Sequence, residues 1–361
     1  MRNILSSTFH AVPGQEAGWV SQFKAVFPFL AGLYDSIFIS ATPLTEATCV
    51  PKTKRKSLVE YLVILGAHCK VVDAGLGDNH RAALTMTLSE TKNNRHCRIH
   101  YCDFDRILYW ARYFPEELSA FVKLAEGFDA VFPYRRGLWD LNSDTPESLK
   151  NAWENHPLTQ KATELVVNQA ANWILNRITL GQAKDKCRID PLATSQITSP
   201  ELTQTICRRS SFRGFPQAEW AAIILSEVLE RNAGDLSKVE CTAVNGLGFE
   251  TFELYRHNRS LGDFRKAFAD LQRDKNEAIK RISIAQGMMA SFLQVFNRHG
   301  LIDSKSCDFV NKLNKELSEL KERVETSPSG GFTEVELMKF YNRLRRSTLG
   351  LSHDVQRRFQ F

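Results

Sequence analysis

The apolar positions of this chain switch repeatedly between a helical and a strand-like period, and the switches set out its elements in order. Residues 1–15 read as a short leader. Residues 16–33 carry apolar side chains at helical spacing, with Pro28 marking a kink or a break. A short β-rich run at 36–41 follows, then an amphipathic helix at 54–66 closed by glycine, and a second strand at 69–73 with its loop at 74–77. A helix over 80–92 leads into a third strand at 98–102. Beyond it, 107–125 is helical in pattern, and Pro115 either breaks that helix or opens a new one. Residues 128–134 predict a fourth strand. Residues 146–186 predict helix, with an apolar face through Leu165, Val166, Ala170, Trp173 and Ile174. The Pro, Ser and Thr of 189–200 predict an ordered loop, 215–232 a helix, and 239–244 a further strand. From about residue 260 the pattern becomes long, charged and helical (263–297, 305–325, 333–347), broken at Ser327–Gly331.

Strands alternating with helices at this spacing predict an α/β fold with a mostly parallel sheet and right-handed crossovers. Ligands of such sheets sit outside the carboxyl ends of the strands. Thr42, Asp73 and the pair Asp103 and Asp105 end three of the strands, so all fall on one rim, and Arg135 and Arg136 bring two cations to it. In an extended backbone side chains at i and i+2 point the same way, so the two acids are expected to project together. Two carboxylates suit a hard divalent cation, since Mg²⁺ is usually held by one or two acids plus substrate phosphates. The alternative is a strand end followed by a helix that Asp105 caps.

Composition narrows the partners only a little. A net charge of +6 suits a polyanion but equally a nucleotide-binding enzyme with a basic helical tail. The eight cysteines include no Cys-x-x-Cys pair, so neither a zinc ribbon nor a redox motif is indicated. No apolar run approaches the roughly 20 residues of a membrane span, and the expected location is cytoplasmic. Gly75 and Gly77 lack the third glycine of a dinucleotide fingerprint.

The run His100-Tyr-Cys-Asp-Phe-Asp-Arg-Ile-Leu-Tyr-Trp110, with Tyr113-Phe-Pro-Glu-Glu-Leu118 after it, resembles the GT-A superfamily of nucleotide-diphospho-sugar transferases. The likeness is to a small prokaryotic branch whose Asp-x-Asp is followed directly by Arg. Gln217-Ala-Glu-Trp220 and Val244-Asn-Gly-Leu-Gly-Phe-Glu-Thr251 are similar to that branch as well. The resemblance covers about residues 30–255 and implies a GT-A-like domain over 1–258, with 259–361 as a helical extension for oligomerisation or partner binding. It implies that Ala41, Thr42 and Asp73 contact the nucleoside, and that Asp103 and Asp105 form the metal-binding pair for Mg²⁺ or Mn²⁺. His257 would be the late third ligand, and Glu219 the general base, with Asp190 in reserve. Arg106, Arg135 or Arg136 could neutralise phosphate oxygens.

Two function classes follow. In one, the protein is an enzyme moving a sugar from a nucleotide-diphosphate donor to a hydroxyl acceptor. In the other, a catalytically degenerate GT-A-like module binds, and its basic helical tail engages a protein, a nucleic acid or an anionic membrane. A homo-oligomer through that tail is compatible with both.

Overall fold

The segment expected as a leader is instead the strand β1 (Arg2–Phe9) in a computed structural model that describes residues 1–11, 14, 16–50, 56–73, 75–91, 96–135, 158–178, 188–213, 216–247, 275–326 and 339. β1 is paired in parallel on both edges, with β2 (Ser36–Ala41) and β4 (Cys97–Cys102). Ile4, Leu5, Ser6 and Ser7 are buried in succession, as both faces of a central parallel strand require. The hydroxyls break the apolar signal without breaking the strand, because Ser7 Oγ donates to the Cys102 carbonyl at 2.7 Å.

With β3 (His68–Val71), β5 (Ala130–Arg135), β6 (Ser195–Thr198) and β7 (Val239–Val244), these strands form a seven-stranded sheet ordered β3-β2-β1-β4-β6-β5-β7. Every pairing is parallel except those of β6, which runs antiparallel to β4 and β5. The region expected to be a loop at 189–200 therefore contains a buried strand, and the sheet is mixed.

On one face, α1 (Glu16–Leu33), α3 (Leu58–Ile64), α5 (Phe104–Tyr113) and α6 (Pro115–Leu124) share a core with Leu5, Ile39 and Val131, centred on Trp19, Phe23, Phe104 and Trp110. A short α2 (Pro43–Ala47) follows β2. α1 runs unbroken through Pro28, whereas Pro115 opens α6 at its first helical position, where a missing N–H costs nothing. On the other face, α4 (Leu76–Thr91), α7 (Leu158–Ile178), α8 (Pro200–Arg209) and α9 (Gln217–Arg231) pack with Tyr101 and Phe132. The helices α10 (Lys275–Arg298) and α11 (Ser304–Thr326) join that same core through Met288, Phe292, Phe296, Val310 and Leu317. No helix among the described residues is long and apolar enough to cross a membrane. Apart from Lys339, the helix expected at 333–347 and the break at 327–331 lie outside the described residues.

α4 begins at Leu76, four residues before the expected start, and its first turn lies against the loop ahead of α9. A Cβ on Gly77 would stand 1.5 Å from the Phe212 carbonyl oxygen, a backbone atom that cannot swing aside. Gly77→Ala is expected to destabilise the chain by about 1–3 kcal/mol in urea unfolding. Gly32→Ala, in α1 with open space around the new methyl, should be neutral or stabilising by up to about 1 kcal/mol.

Candidate functional site

Strand order decides which strand ends meet. From β1 the chain builds outward through β2 and β3, then returns to place β4 on the other edge of β1. The return runs through α4 on the second face, whereas the helices following β1 and β4, α1 and α5, both lie on the first, and the carboxyl ends of β1 and β4 come side by side. β1 there supplies Thr8 and Phe9, and β4 supplies Asp103 just past Cys102.

The two acids straddle the junction of β4 and α5 rather than sharing an extended strand. Asp103 occupies the N-cap position of α5 but makes no capping hydrogen bond. Its Oδ1 instead accepts from the Tyr101 hydroxyl at 2.8 Å, with Thr8 Oγ1 3.0 Å from the tyrosine oxygen and 3.4 Å from the carboxylate. Burial, reinforced by the Asp103 charge, pushes the Tyr101 hydroxyl well above its ordinary range, so it stays a donor. Asp105 sits in the first turn of α5, and its Oδ1 accepts from the N–H of Arg106 at 2.9 Å. Both acids are half-buried.

Of the other expected site residues, Ala41 ends β2 and is buried, and Thr42 caps α2 while its hydroxyl lies 3.0 Å from His10 Nδ1. Asp73 is exposed beyond β3. Arg106 is only 7% exposed and donates to the Leu192 carbonyl at 2.7 Å, so its guanidinium anchors the segment behind the acids. His257 and Arg136 lie outside the described residues. Among the described residues no group of three His, Cys, Asp or Glu side chains could hold a metal ion.

Three expectations change with the packing. Arg135 is buried and not presented to a ligand: it pairs with Asp190 through Nε at 2.7 Å and a second nitrogen at 3.0 Å, and with Glu164 at 3.0 Å. Asp190 is correspondingly enclosed, also accepting from Asn168 at 2.8 Å and from the Arg135 N–H at 3.2 Å. Burial alone would raise its carboxyl, but Arg135 and these donors outweigh it and hold the group below its ordinary range. Glu219, 3% exposed, accepts from Ser210 Oγ, Ser211 N and Ser211 Oγ at 2.7, 2.9 and 3.2 Å. Its donors come from the loop that crosses α4, so its carboxylate fixes that loop and does not face an acceptor.

Thr8 and Tyr101 contact Asp103, and His80 and Gln217 lie behind Tyr101; the sequence assigned none of them a role. Tyr101 stood in plain view two residues before Asp103. Thr8 lay in the supposed leader, and His80 in α4 reaches Gln217 across 137 positions of sequence, a pairing that no local pattern announces.

No family model matches the chain, and no curated protein matches it. A comparison with solved structures matches the chain to one titled "Crystal Structure of a Mycobacterial Protein", at 14% sequence identity and a TM-score of 0.38, over 84% of this chain and 76% of that one.

Two outcomes follow from the buried charges. Arg135→Met would leave Asp190 and Glu164 without their cation, so chemical unfolding should register a loss of about 3–5 kcal/mol. In the wild type, the stability from Asp190 is complete above the ordinary carboxyl range and is lost as pH falls below it. In the variant, burial without the arginine raises that pKa, so the loss should shrink on acidification. A cation serving only a ligand would leave stability unchanged.

His100 gives a second pH signature. Its imidazole is buried between Tyr34 at 2.6 Å and Ser195 at 2.8 Å, and burial pushes it from 6.5 to about 3. Between those values the unfolded chain binds a proton that the folded chain does not, so stability falls as pH falls, by about 1.4 kcal/mol per unit. Urea titrations across this window should show that slope, and His100→Gln should reduce it by one proton's worth.

Proposed function

We propose that this protein is a metal-dependent glycosyltransferase of the GT-A type, moving a sugar from a nucleotide-diphosphate donor to a hydroxyl acceptor. One observation carries the reading. An aspartate at a helix N-cap forgoes a bond worth about 1 kcal/mol, and hydroxyls from two adjacent strands hold it at the strand ends where the strand order reverses. The mixed α/β sheet and the Asp-x-Asp-Arg run at its centre support the same reading.

The donor set fits a hard cation in type. Asp103 and Asp105 offer carboxylate oxygens, Mg²⁺ and Mn²⁺ prefer oxygen, and Mg²⁺ commonly needs no third protein ligand when substrate phosphates complete its shell. Bound there, the ion would neutralise charge developing on a diphosphate leaving group. Tyr101 and Thr8 would orient Asp103, and the segment tied down by Arg106 would fix the Asp103 backbone through the Thr194 carbonyl. Glu219 and Asp190 are buried and bonded to protein donors, so the proposal rests on the acids after β4 and not on either of them. Their enclosure also favours one rival, a module that binds the sugar nucleotide without transferring it.

Titration calorimetry separates these outcomes. UDP-, GDP-, ADP- and CMP-linked sugars, each with and without Mn²⁺, should yield at least one donor whose binding needs the metal and weakens tenfold or more in Asp105→Ala. Release of the nucleotide diphosphate from that donor would identify the enzyme, and binding without release the module. If no donor binds to wild-type protein, both fail.

A further inference from the structure

Residues from the three runs singled out in the sequence, Trp110, Glu117 and the pair Asn245 and Gly246, meet at the exit of β7, in contacts that involve neither Asp103 nor Asp105. Just past Val244, the backbone N–H groups of Asn245 and Gly246 turn to one carboxylate, that of Glu117 in the first turn of α6. The Asn245 N–H is shared between Oε2 at 2.8 Å and Oε1 at 3.0 Å, and the Gly246 N–H donates to Oε1 at 2.9 Å. The indole Nε1–H of Trp110, in α5, donates to the same Oε1 at 2.8 Å.

This arrangement is built for an anion. Successive backbone N–H groups turned to one side form a concavity that binds negative charge, and the indole adds a third group that can donate but not accept. The first turn of α6 adds the favourable end of a helix dipole. Gly246 is required for the approach: a Cβ there would stand 2.0 Å from Cδ1 of Trp110, a fully buried ring. A glutamate at the third position of a helix often reaches back to its own N-cap. Here the N–H of the cap residue Phe114 bonds the Trp110 carbonyl instead, and Glu117 reaches across 128 positions of sequence to Asn245.

We propose that the exit of β7 is a carboxylate-binding nest, formed by the Asn245 and Gly246 N–H groups and Trp110 Nε1–H, whose resident ligand is the side chain of Glu117. The ligand class is a small carboxylate, and the resident one ties β7 to α5 and α6. Glu117 is half-buried, so a free carboxylate of that size reaches the nest once the side chain is cut back. The nest does not depend on which reaction the acids after β4 perform.

Amide hydrogen exchange on the full chain carries the test. In Glu117→Ala the Asn245 and Gly246 amides should exchange about tenfold or more faster than in wild type, as the loss of a charge-assisted hydrogen bond implies. Sodium formate should restore their protection saturably, whereas sodium chloride at equal ionic strength and neutral formamide should not. Glu117→Gln keeps the shape without the charge and covers a folding failure of the alanine variant; in it the two amides should exchange faster than in wild type and ignore formate. Exchange as slow as wild type in either folded variant, no restoration by formate in Glu117→Ala, or equal restoration by formamide or chloride would overturn the assignment.

Discussion

The hydrogen bonding of β1 on both edges is the constraint from which the site at the end of β4 follows. A strand paired with β2 on one side and β4 on the other has helices over both faces, and its residues must satisfy two cores at once. Leu5 and Phe9 enter the aromatic core beside α1 and α5, while Ile4 packs with Phe38 and Cys97 on the opposite face. Past the apolar residues, Ser7 and Thr8 sit close to the carboxyl end, where hydroxyls can bond across to β4. Polarity placed there does not weaken the sheet: Ser7 ties β1 to the last carbonyl of β4, and Thr8 adjoins the group that aims Asp103.

These hydroxyls also explain what the sequence hid. β1 has two apolar residues followed by Ser-Ser-Thr, too polar to be recognised as a central strand without its partners. β6 is short and rich in Ser and Thr, and its burial depends on β4 and β5 closing around it. By contrast β2, β4, β5 and β7 are apolar enough to be legible alone, and so was the acid pair at the end of β4. Its geometry was less legible. Projecting together at i and i+2 presumed that the strand continued, whereas α5 begins at Phe104 and puts the acids on either side of the turn. The misassigned charges fail for a different reason: Arg135 and Asp190 are 55 positions apart, and nothing local distinguishes a rim arginine offered to solvent from one folded into an ion pair.

That ion pair is one of several ties on the segment between α7 and β6. Asp190 is bound to Arg135, the Leu192 carbonyl to Arg106, and the Thr194 carbonyl to the Asp103 N–H at 3.3 Å. Thr194 itself has φ of 47°, a left-handed conformation that a β-branched residue adopts only when its surroundings impose it. The strain coincides with the start of the reversed strand, at the same rim as Asp103. Buried charges that replace neither a core nor a ligand contact thus have an identifiable use: they fix a short connecting segment, which includes a single 3-10 turn at Pro191–Ala193, against the ends of the central strands.

The C-terminal helices bear on the partner question in the same physical terms. α10 and α11 are amphipathic, and an apolar stripe that faced solvent would argue for a second copy or another protein. Here Met288, Met289, Phe292 and Phe296 meet α7 and α9, and Phe309 lies 4.4 Å from Trp173, ring centre to ring centre. The stripe is therefore used within the chain; the exposed positions of α11 are mostly charged, while those of α10 are mostly small or uncharged polar residues. An association of two copies through this helical tail, as expected from the sequence, would therefore have to use the outer faces of α10 and α11, since their apolar stripes are already buried within the chain.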